Sequence, residues 1–425
     1  MLDVNLIRQN PEIVKQGIKK KNYAPSLVDE FLAIDEEWRK LTEETDGLRF
    51  QQKKLSEERK IEEAKALKEK IQELESKLKL LEEKRKEVLW QIPNLPSEDT
   101  PTGKDESENK VICKWGEPKE FDFKSRDHMK LGKLLDIIDV ERASKISGSR
   151  FGYLKGSAVL LEFALIQHTF NVLTDQKILQ KIADKIQKGY SAKSFTPVVP
   201  PTMIRPDVFE KMARLKPEEE RYYIPKDDVY LVGSAEHTLG PLHMDEIIPE
   251  EKLPIRYIGF STAFRREAGS YGKDMGGILR VHQFDKLEIE SFTTPENSTI
   301  EQDFIVAIQE YLMQSLEIPY QVVAICAGDM GGPDARQIDI ESWVPSQNRY
   351  RETHTSDMMT DYQARRLNTK VRRENGELQF VHMNDATAFA IGRTLIAIIE
   401  NYQQKDGSIL APKVLQEYLN FKKIG

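Results

Sequence analysis

Residues 26–92 constrain the fold more than any other part of the chain, because they contain no proline and a single glycine, Gly47. Apolar residues recur there at alternating spacings of three and four, which is typical of helices that pack along a coiled-coil seam. The seam positions are Leu27, Phe31, Ile34, Trp38, Leu41, the polar Thr45, Leu48 and Leu55, then Ala64, Leu67, Ile71, Leu74, Leu78, Leu81 and Val88. The charged stretch 56–63 breaks the register. We therefore predict an antiparallel hairpin of two helices, an arm roughly 40 Å long.

The predicted arm differs in charge from the chain as a whole. Between Arg49 and Lys86 there are 13 lysines and arginines and 9 aspartates and glutamates, a net charge of +4, whereas the whole chain has a net charge of −7. A solvated coiled coil with mixed charges is the simpler interpretation of this segment alone. A finger that contacts a polyanion backbone is the alternative, and it depends on whether the remainder of the chain handles nucleic acid.

Cysteine usage and hydropathy restrict the class of protein. The two cysteines, Cys113 and Cys326, lie far apart without a CxxC pair, which excludes a disulfide framework and favours a reducing compartment. The N-terminus lacks the apolar core of a signal peptide. The longest apolar-rich stretch, residues 158–166, is too short to cross a bilayer and contains Glu162. We expect a cytoplasmic protein without membrane association.

A second region begins after a segment punctuated by prolines. Residues 92–110 are polar and acidic, which is typical of a linker. A mixed region of helices and strands follows, with a long helix predicted around residues 157–188 and an extended stretch at 195–202, where three prolines exclude a helix. We therefore divide the chain into residues 1–105 and residues 106–425.

The stretch FRREAGSYGKDMGGILRVHQFDKLE, residues 264–288, combines two strand-like segments with a glycine-rich connection. Side chains two apart on a strand share a face, so Arg265 and Glu267 should point the same way, as should Phe284 and Glu288 on the returning strand. An arginine donates two hydrogen bonds to a phosphate, an aromatic ring stacks on a base, and a glutamate accepts from an amino group. If the two strands pair as a hairpin, they would hold a nucleotide beside an amine.

This stretch resembles motif 2 of the class II aminoacyl-tRNA synthetases, and specifically that of the seryl-tRNA synthetase family of the bacterial type. The HIGH and KMSKS signatures of class I enzymes do not occur in the sequence. Residues 195–202 resemble motif 1, and residues 384–415 resemble motif 3, which is the most specific match. The resemblance covers nearly the whole chain. It implies an α+β fold, in which an N-terminal tRNA-binding hairpin precedes a catalytic domain built on an antiparallel sheet flanked by helices.

The resemblance implies one group of residues for ATP. Arg265 would bind the α-phosphate and the amino-acid carboxylate, Glu267 would contact the adenosine, and Phe284 and Arg393 would lie against the two faces of adenine. The implied ATP-binding set is Arg265, Arg266, Glu267, Val281, Phe284, Glu352, Thr353, His354, Thr355 and Arg393, of which Arg265, Glu352 and Arg393 would be catalytic. Glu352 and Thr355 would also hold Mg²⁺, for which hard oxygen ligands are suited.

A second group is implied for L-serine. It consists of Ser234, Ala235, Glu236, Arg265, Glu288 and Thr387. Glu236 would contact the amino group of the substrate, and Glu288 would accept a hydrogen bond from its hydroxyl at the pocket floor. A pocket that hydrogen-bonds a hydroxyl rejects alanine, because its buried polar groups would be left unpaired.

Three places depart from the family pattern. His354 would bring a bulky, titratable ring beside the nucleotide site. Residues 275–277, Met-Gly-Gly, stand where an arginine is common in the motif 2 loop. In motif 3, either Asp385 replaces the usual asparagine, or Asn384 is shifted by one residue. An additional carboxylate beside the amino acid is therefore expected, without a role that the sequence assigns.

The implied function is the ATP-dependent attachment of L-serine to tRNA(Ser), and also to tRNA(Sec), through a seryl-adenylate. The family further implies a homodimer whose interface includes motif 1. Two alternatives remain open, a catalytically impaired paralogue and a paralogue that loads a carrier protein, although relatives of the second kind lack the arm. No C-terminal anticodon-binding domain of the prolyl or threonyl kind follows motif 3. We therefore expect the arm to bind the body and the long variable arm of the tRNA.

Overall fold

The computed structural model describes residues 1–268 and 276–425 and divides into two compact units, residues 1–96 and residues 97–425. The first unit consists of helices α1 (Val4–Gln9), α2 (Pro11–Lys20), α3 (Ser26–Glu57) and α4 (Ile61–Gln91). Helices α3 and α4 form the predicted antiparallel hairpin. The seam residues of both helices are buried or half-buried, including Phe31, Ile34, Ile71 and Leu74. The heptad pattern therefore predicted this unit correctly.

A buried carboxylate near the base of the hairpin was not predicted. The side chain of Asp35 is fully buried, and it accepts hydrogen bonds from Arg8, Arg39 and Arg85. The Arg85 guanidinium also lies 4.8 Å from the centre of the Trp38 ring. A buried carboxylate is tolerated because several cations share it. This cluster connects α1 to both helices of the hairpin, α3 and α4.

The second unit contains the remaining helices and all the strands of the described residues. Its helices are α5 (His128–Leu134), α6 (Val140–Ser147), α7 (Ser157–Thr174), α8 (Gln176–Ile186), α9 (Pro206–Lys211), α10 (Glu236–Leu239), α11 (Ser298–Ser315), α12 (Tyr362–Leu367) and α13 (Ile391–Asn401). Its strands are β1 (Lys110–Trp115), β2 (Ile138–Asp139), β3 (Tyr153–Leu154), β4 (Thr196–Val198), β5 (Met203–Ile204), β6 (Tyr223–Ile224), β7 (Val229–Leu231), β8 (Ile247–Pro249), β9 (Ile255–Phe264), β10 (Gln283–Thr293), β11 (Tyr320–Ala324), β12 (Arg336–Val344), β13 (Arg349–Thr360), β14 (Lys370–Arg372), β15 (Leu378–Phe380), β16 (His382–Ala390), β17 (Ile409–Leu410) and β18 (Lys423–Ile424).

One large sheet organises this unit. Among the described residues it has eight strands in the order β1-β11-β12-β13-β16-β10-β9-β4, and neighbouring strands are antiparallel except for the edge pair β4 and β9. Helices α11 and α13 pack on the central strands and bury apolar residues such as Phe304, Ile308, Leu395 and Ile398. Successive side chains of a strand point to opposite faces, so the residues between those core positions remain available for a site.

The two strands that the sequence predicted on either side of residues 265–282 do pair. Strand β9 is antiparallel to β10, with Ala263 opposite Phe284 and Gly259 opposite Glu288. Residues 269–275 of the predicted connection, including Met275, lie outside the described residues. Beyond the strand end, Glu267 adopts a left-handed backbone conformation with φ of 51°, so a turn rather than strand alternation sets its direction.

Two expectations about the second unit need correction. The helix predicted over residues 157–188 is two helices, because Asp175 ends α7 and its carboxylate accepts hydrogen bonds from the backbone N–H groups of Lys177 and Ile178, which caps α8. The contacts divide the chain after Pro96, nine residues before the predicted boundary. The reason is that Ser97 and Pro101 already hydrogen-bond to the backbone of Ala335 and Ala327. In the described ranges, no helix is long and apolar enough to span a bilayer.

Candidate active site

An open cavity of about 950 Å³, including its solvent-filled mouth, lies on the large sheet. Strands β10, β13 and β16, the first turn of α13 and the segment that precedes β10 provide most of its lining. The sequence-predicted residues that line it are Glu236, Arg265, Glu267, Val281, Phe284, Glu288, Glu352, Thr355, Thr387 and Arg393. Side chains more than 150 residues apart in sequence thus face one space.

Arg265 and Phe284 form one end of the cavity. The Arg265 Nε atom donates a 3.1 Å hydrogen bond to the carbonyl of Gly233, and its guanidinium lies 5.5 Å from the centre of the Phe284 ring. The backbone N–H of Arg265 donates to the carbonyl of His282, which continues the β9–β10 pairing. Because these contacts fix the guanidinium, it is pre-positioned for an anion. Arg280 donates to the Glu267 carboxylate at the rim.

A β-bulge places two oxygen donors on the cavity face of β13. Ile340 pairs with His354 and the next residue, Glu341, pairs with Glu352, so Thr353 is an extra residue in the ladder. In a regular strand, residues three apart point to opposite faces, but the bulge brings Glu352 and Thr355 to the same one. A carboxylate and a hydroxyl therefore face the cavity together.

Arg393 lies in the first turn of α13 and pairs with Glu352. Its Nη1 atom is 2.9 Å from Glu352 Oε1 and donates to the Glu352 carbonyl at 3.1 Å. Burial alone would raise the pKa of Glu352, but the guanidiniums of Arg393 and Arg265 outweigh burial and hold that pKa below its usual value. Glu400, in the same helix, does not pair with Arg393 but accepts hydrogen bonds from the backbone N–H groups of His128 and Ser346 and contacts the His128 ring.

The opposite end of the cavity is lined with carboxyl groups. Glu236, Glu288 and Asp385 have oxygen atoms within 4.8 Å of one another, and Lys286 Nζ lies 2.6 Å from Glu288 Oε2. Burial, together with the charge of Glu236, raises the pKa of Glu288 to about 7 although Lys286 opposes the shift. Burial also favours the neutral form of Glu236, but Arg214 outweighs it and lowers the pKa of Glu236 well below its usual value. This end can therefore bind a cation such as an amino group.

The register of β16 places Asp385, and not Asn384, in the lining of the cavity. Asp385 and Thr387 line the cavity and lie two residues apart, on the same face of β16. Asn384 is fully buried, and strand alternation directs it to the opposite face. A second bulge at Ala388 lets Thr387 pair with Glu288 while Phe389 pairs with Leu287. Asp385 rather than Asn384 therefore lines the cavity, so the expected additional carboxylate lies there.

Several predicted side chains do not line the cavity. Thr353 is buried and hydrogen-bonds to Ser342, and the fully buried His354 ring lies 5.0 Å from that of Phe389. The expectation that His354 places a titratable ring beside a nucleotide was wrong, because the bulge turns this side chain into the core. Burial there lowers the pKa of His354 to about 3.

Arg266, Ser234 and Ala235 also lie outside the lining. The Arg266 guanidinium is 5.5 Å from the centre of the Tyr222 ring, and its backbone N–H donates to Glu220. Ser234 is fully buried and accepts a 3.1 Å hydrogen bond from Lys286, while Ala235 is fully buried just before α10. Of the three, Ser234 contacts the lining of the cavity, through Lys286.

Comparison with known proteins identifies the family. The model of the seryl-tRNA synthetase N-terminal domain matches residues 1–96, and that of the tRNA synthetase class II core domain (G, H, P, S and T) matches residues 220–402. A serine–tRNA ligase of Dictyoglomus turgidum is 43% identical over 100% of this chain and 99% of the relative. The chain belongs to the seryl-tRNA synthetase family. A serine–tRNA ligase of Thermotoga maritima is 41% identical, with both chains covered over their full length.

Solved structures of seryl-tRNA synthetases share this fold. The enzyme from Pyrococcus horikoshii, complexed with ATP, superposes with a TM-score of 0.90 at 38% identity and covers 100% of this chain and 99% of its own. The cytoplasmic enzyme from Naegleria fowleri, in complex with AMP, has a TM-score of 0.88 at 32% identity and covers 100% and 98%. The predicted family and the predicted α+β fold class are both confirmed.

Four charged residues of the cavity were missed by the sequence analysis of this seryl-tRNA synthetase family member. They are Arg214, Arg280, Lys286 and Asp357. Strand alternation was a signal for two of them, since Lys286 lies two residues from both Phe284 and Glu288, and Asp357 lies two residues from Thr355. Arg214 follows α9 in an irregular loop, where no periodicity indicates the direction of a side chain.

Proposed function

We propose that this chain attaches L-serine to tRNA(Ser) through a seryl-adenylate, with ATP as the second substrate. The observation that carries the proposal is the convergence of Arg265, Glu288 and Glu352 on one cavity, in a chain of this family. Adenine would stack on Phe284 with Arg393 on its other face, and Glu267 and Val281 would lie beside the adenosine. The serine amino group would bind Glu236, and its hydroxyl would bind Glu288 and Thr387.

Both chemical steps need positioning and charge stabilisation rather than a nucleophile from the protein. The ionised serine carboxylate attacks the α-phosphorus, the bond to the bridging oxygen breaks, and pyrophosphate leaves. Arg265 stabilises the negative charge that develops on the α-phosphate oxygens. A ribose hydroxyl at the end of the tRNA then attacks the acyl carbon, and AMP leaves. Excluding water from the acidic end of the cavity would protect the adenylate.

The donor set on β13 fits Mg²⁺. Glu352 offers a carboxylate and Thr355 a hydroxyl on the same face, and Asp339 lies behind them on β12, opposite Thr355. Hard oxygen donors of this kind suit an ion that keeps water ligands and bridges phosphates. When bound, Mg²⁺ would neutralise part of the negative charge of the phosphates. Glu352 and Thr355 would hold it, while Arg393, next to Glu352, would orient the phosphates.

Serine-dependent exchange of pyrophosphate into ATP tests the first step, and charging of tRNA(Ser) tests the second. Exchange and charging together support the proposal. No exchange with serine would instead favour a catalytically impaired paralogue. Exchange without charging of any serine tRNA, together with serine transfer to a carrier protein, would favour the carrier-protein ligase. Charging of tRNA(Sec) is expected to accompany that of tRNA(Ser), because both would be bound by the same arm, and a cytoplasmic location follows from this role.

We expect kcat/KM for serine to rise as the pH is raised through about 7. The pKa of Glu288 is raised to about 7, so its carboxylate, the form that accepts from the hydroxyl, becomes fully populated only above that pH. Below the pKa, kcat/KM should fall about tenfold per pH unit. Pyrophosphate exchange measured between pH 6 and 8 provides the profile. The Glu288→Gln variant should be slower and lose the rise, whereas an unchanged rise in this variant would assign the titration to another group.

We further propose that the chain forms a homodimer through the surface of α7 and of β4, the strand that lies in motif 1. Phe163 is 60% exposed, Leu160 is 47% exposed and Val199, next to the edge strand β4, is 81% exposed. Exposed apolar residues at a sheet edge favour association with another chain. Light scattering should give twice the mass of one chain, and Phe163→Glu should shift the protein to a monomer. A wild-type monomer at micromolar concentration would contradict the proposal.

A further inference from the structure

Arg214 enters the acidic end of the cavity from a loop whose conformation is held from both sides. Ala213, directly before it, adopts a left-handed backbone conformation with φ of 57°, which turns the chain after α9. Arg221 fixes the segment that follows, because its Nη2 atom donates a 2.6 Å hydrogen bond to the Arg214 carbonyl and its Nε atom donates to the Leu215 carbonyl at 3.4 Å. The direction of the Arg214 side chain is therefore set by its backbone.

The guanidinium of Arg214 contacts four carboxylates. Its Nε atom is 3.1 Å from Glu236 Oε1. Its Nη2 atom is 3.2 Å from Asp334 Oδ1, 3.3 Å from Asp357 Oδ2 and 3.2 Å from Asp385 Oδ2. A planar guanidinium can serve several acceptors at once because its donors are arranged as a fork, which the single point charge of a lysine cannot reproduce.

Among the described residues, carboxyl groups outnumber the cationic side chains that contact them at this end of the cavity. The carboxyl groups are Glu236, Glu288, Glu290, Asp334, Asp357 and Asp385, and the cations in contact with them are Arg214 and Lys286. Without Arg214, this space would attract another cation of similar size.

We propose that Arg214 is a specificity-determining residue, whose guanidinium closes the floor of the amino-acid pocket against substrates that carry a second cationic group. The inference rests on the proposed function. Serine places its ammonium group at Glu236 and its short side chain at Glu288, in front of Arg214. An amino acid with a side-chain ammonium group, such as 2,4-diaminobutyrate, would reach toward Asp385 and Asp357. In the wild-type protein it meets a guanidinium of like charge that already fills that space.

Removal of the guanidinium should therefore lower the activity with serine and allow the diamino acid to bind as a substrate. For Arg214→Ala, we expect kcat/KM for serine in pyrophosphate exchange to fall about 100-fold, because Glu236 loses the guanidinium that lies 3.1 Å from its carboxylate. The ratio of kcat/KM for 2,4-diaminobutyrate to that for serine should rise at least about 100-fold. Millimolar guanidinium chloride should restore serine-dependent exchange to Arg214→Ala and suppress the new activity, whereas sodium chloride at equal concentration should do neither.

A double variant and a matched control separate charge from structure. The double variant, Arg214→Ala with Asp385→Asn, lacks both the guanidinium and one of the carboxyl groups that contact it. Serine-dependent exchange should therefore partly recover, and guanidinium chloride should restore it less strongly. Arg205→Ala removes a guanidinium that is exposed and lies nearby in sequence at the start of α9, and it should leave the substrate ratio unchanged. If Arg214→Ala fails to fold, Arg214→Lys tests the same point, because its point charge should leave serine KM raised about tenfold.

The outcomes distinguish this inference from the proposed function. Exchange by the wild-type protein with serine must be present, and its absence would overturn the proposed function itself. If the wild type is active while Arg214→Ala keeps both its serine kinetics and its rejection of 2,4-diaminobutyrate, Arg214 does not determine specificity. Loss of serine activity without guanidinium rescue and without a changed substrate ratio would also overturn the inference, because Arg214 would then be only a structural residue.

Discussion

Replacement of Arg265 by alanine should lower serine-dependent pyrophosphate exchange by about a thousandfold in kcat/KM. The guanidinium is held over Phe284 and against the Gly233 carbonyl, so it needs no reorganisation when charge develops on the α-phosphate. Because the same group would also bind the serine carboxylate, both KM for serine and kcat should change. Steady-state exchange kinetics with serine and ATP varied independently would measure both effects.

The neighbouring arginine supplies a matched control. Arg266 follows directly in the sequence and was part of the predicted ATP-binding set, but its guanidinium lies over Tyr222 and does not line the cavity. Arg266→Ala should therefore reduce exchange by less than about tenfold, as expected for loss of a peripheral charge. Equal losses in the two variants, with both proteins folded, would contradict the assignment of the α-phosphate contact to Arg265 alone.

Deletion of residues 40–80 should lower the rate of tRNA(Ser) charging by at least about a thousandfold. Serine-dependent exchange should stay within about twofold of the wild-type rate. The net charge of +4 between Arg49 and Lys86 suits contact with the phosphates of an RNA, whereas the groups assigned to ATP and serine all lie in the second unit. The two activities should thus separate. Aminoacylation with serine tRNA and pyrophosphate exchange on the same preparation measure them.

The shortened protein should remain folded at the base of the arm. The two cut ends lie at corresponding heights of the hairpin, since Asp35 pairs with Arg85 and Glu44 with Lys70. A glycine-rich turn can therefore join them. The first unit keeps its buried residues Ile7, Val14, Ile18, Phe31, Ile34, Val88 and Leu89. Full charging by this variant would rule out a role of the arm in tRNA binding.

Charge substitutions in the intact arm give a finer control. Replacement of Lys53, Lys54, Arg59 and Lys60 by glutamine keeps the helices and should raise KM for the tRNA, with a weaker dependence on salt concentration. The matched set, Glu57, Glu58, Glu62 and Glu63 changed to glutamine, should leave KM equal or lower. An equal loss from both sets would indicate that helix stability, rather than positive charge, governs tRNA binding.

Periodicity explains why the arm was predictable from the sequence. A heptad pattern reports which side chains meet along two helices, so Phe31, Ile34, Ile71 and Leu74 were placed correctly without tertiary information. The carboxylate of Asp35 was invisible in the same pattern, because its stability depends on Arg8 and Arg85 from other helices. Local patterns predict apolar seams better than they predict buried ion pairs.

The cavity was predictable only where a motif or strand alternation reached it. The positions of Arg265, Phe284 and Glu288 in the cavity were predictable, because the two strands pair as the sequence pattern indicated. The bulge at Thr353 could not be foreseen, and it reversed the direction of His354 while keeping Glu352 and Thr355 together. Arg214 depends on the left-handed backbone of Ala213 and on the hydrogen bonds of Arg221, which link residues that no period connects.

A crystal structure with a non-hydrolysable seryl-adenylate analogue, in which a sulfamoyl group replaces the phosphate, would test the central claim most directly. The claim predicts that the sulfamoyl oxygens lie about 3 Å from the Arg265 guanidinium and that the adenine lies between Phe284 and Arg393. The seryl hydroxyl should be hydrogen-bonded to Glu288. An analogue bound outside this cavity, or bound within it with the seryl side chain directed away from Glu288, would contradict the account.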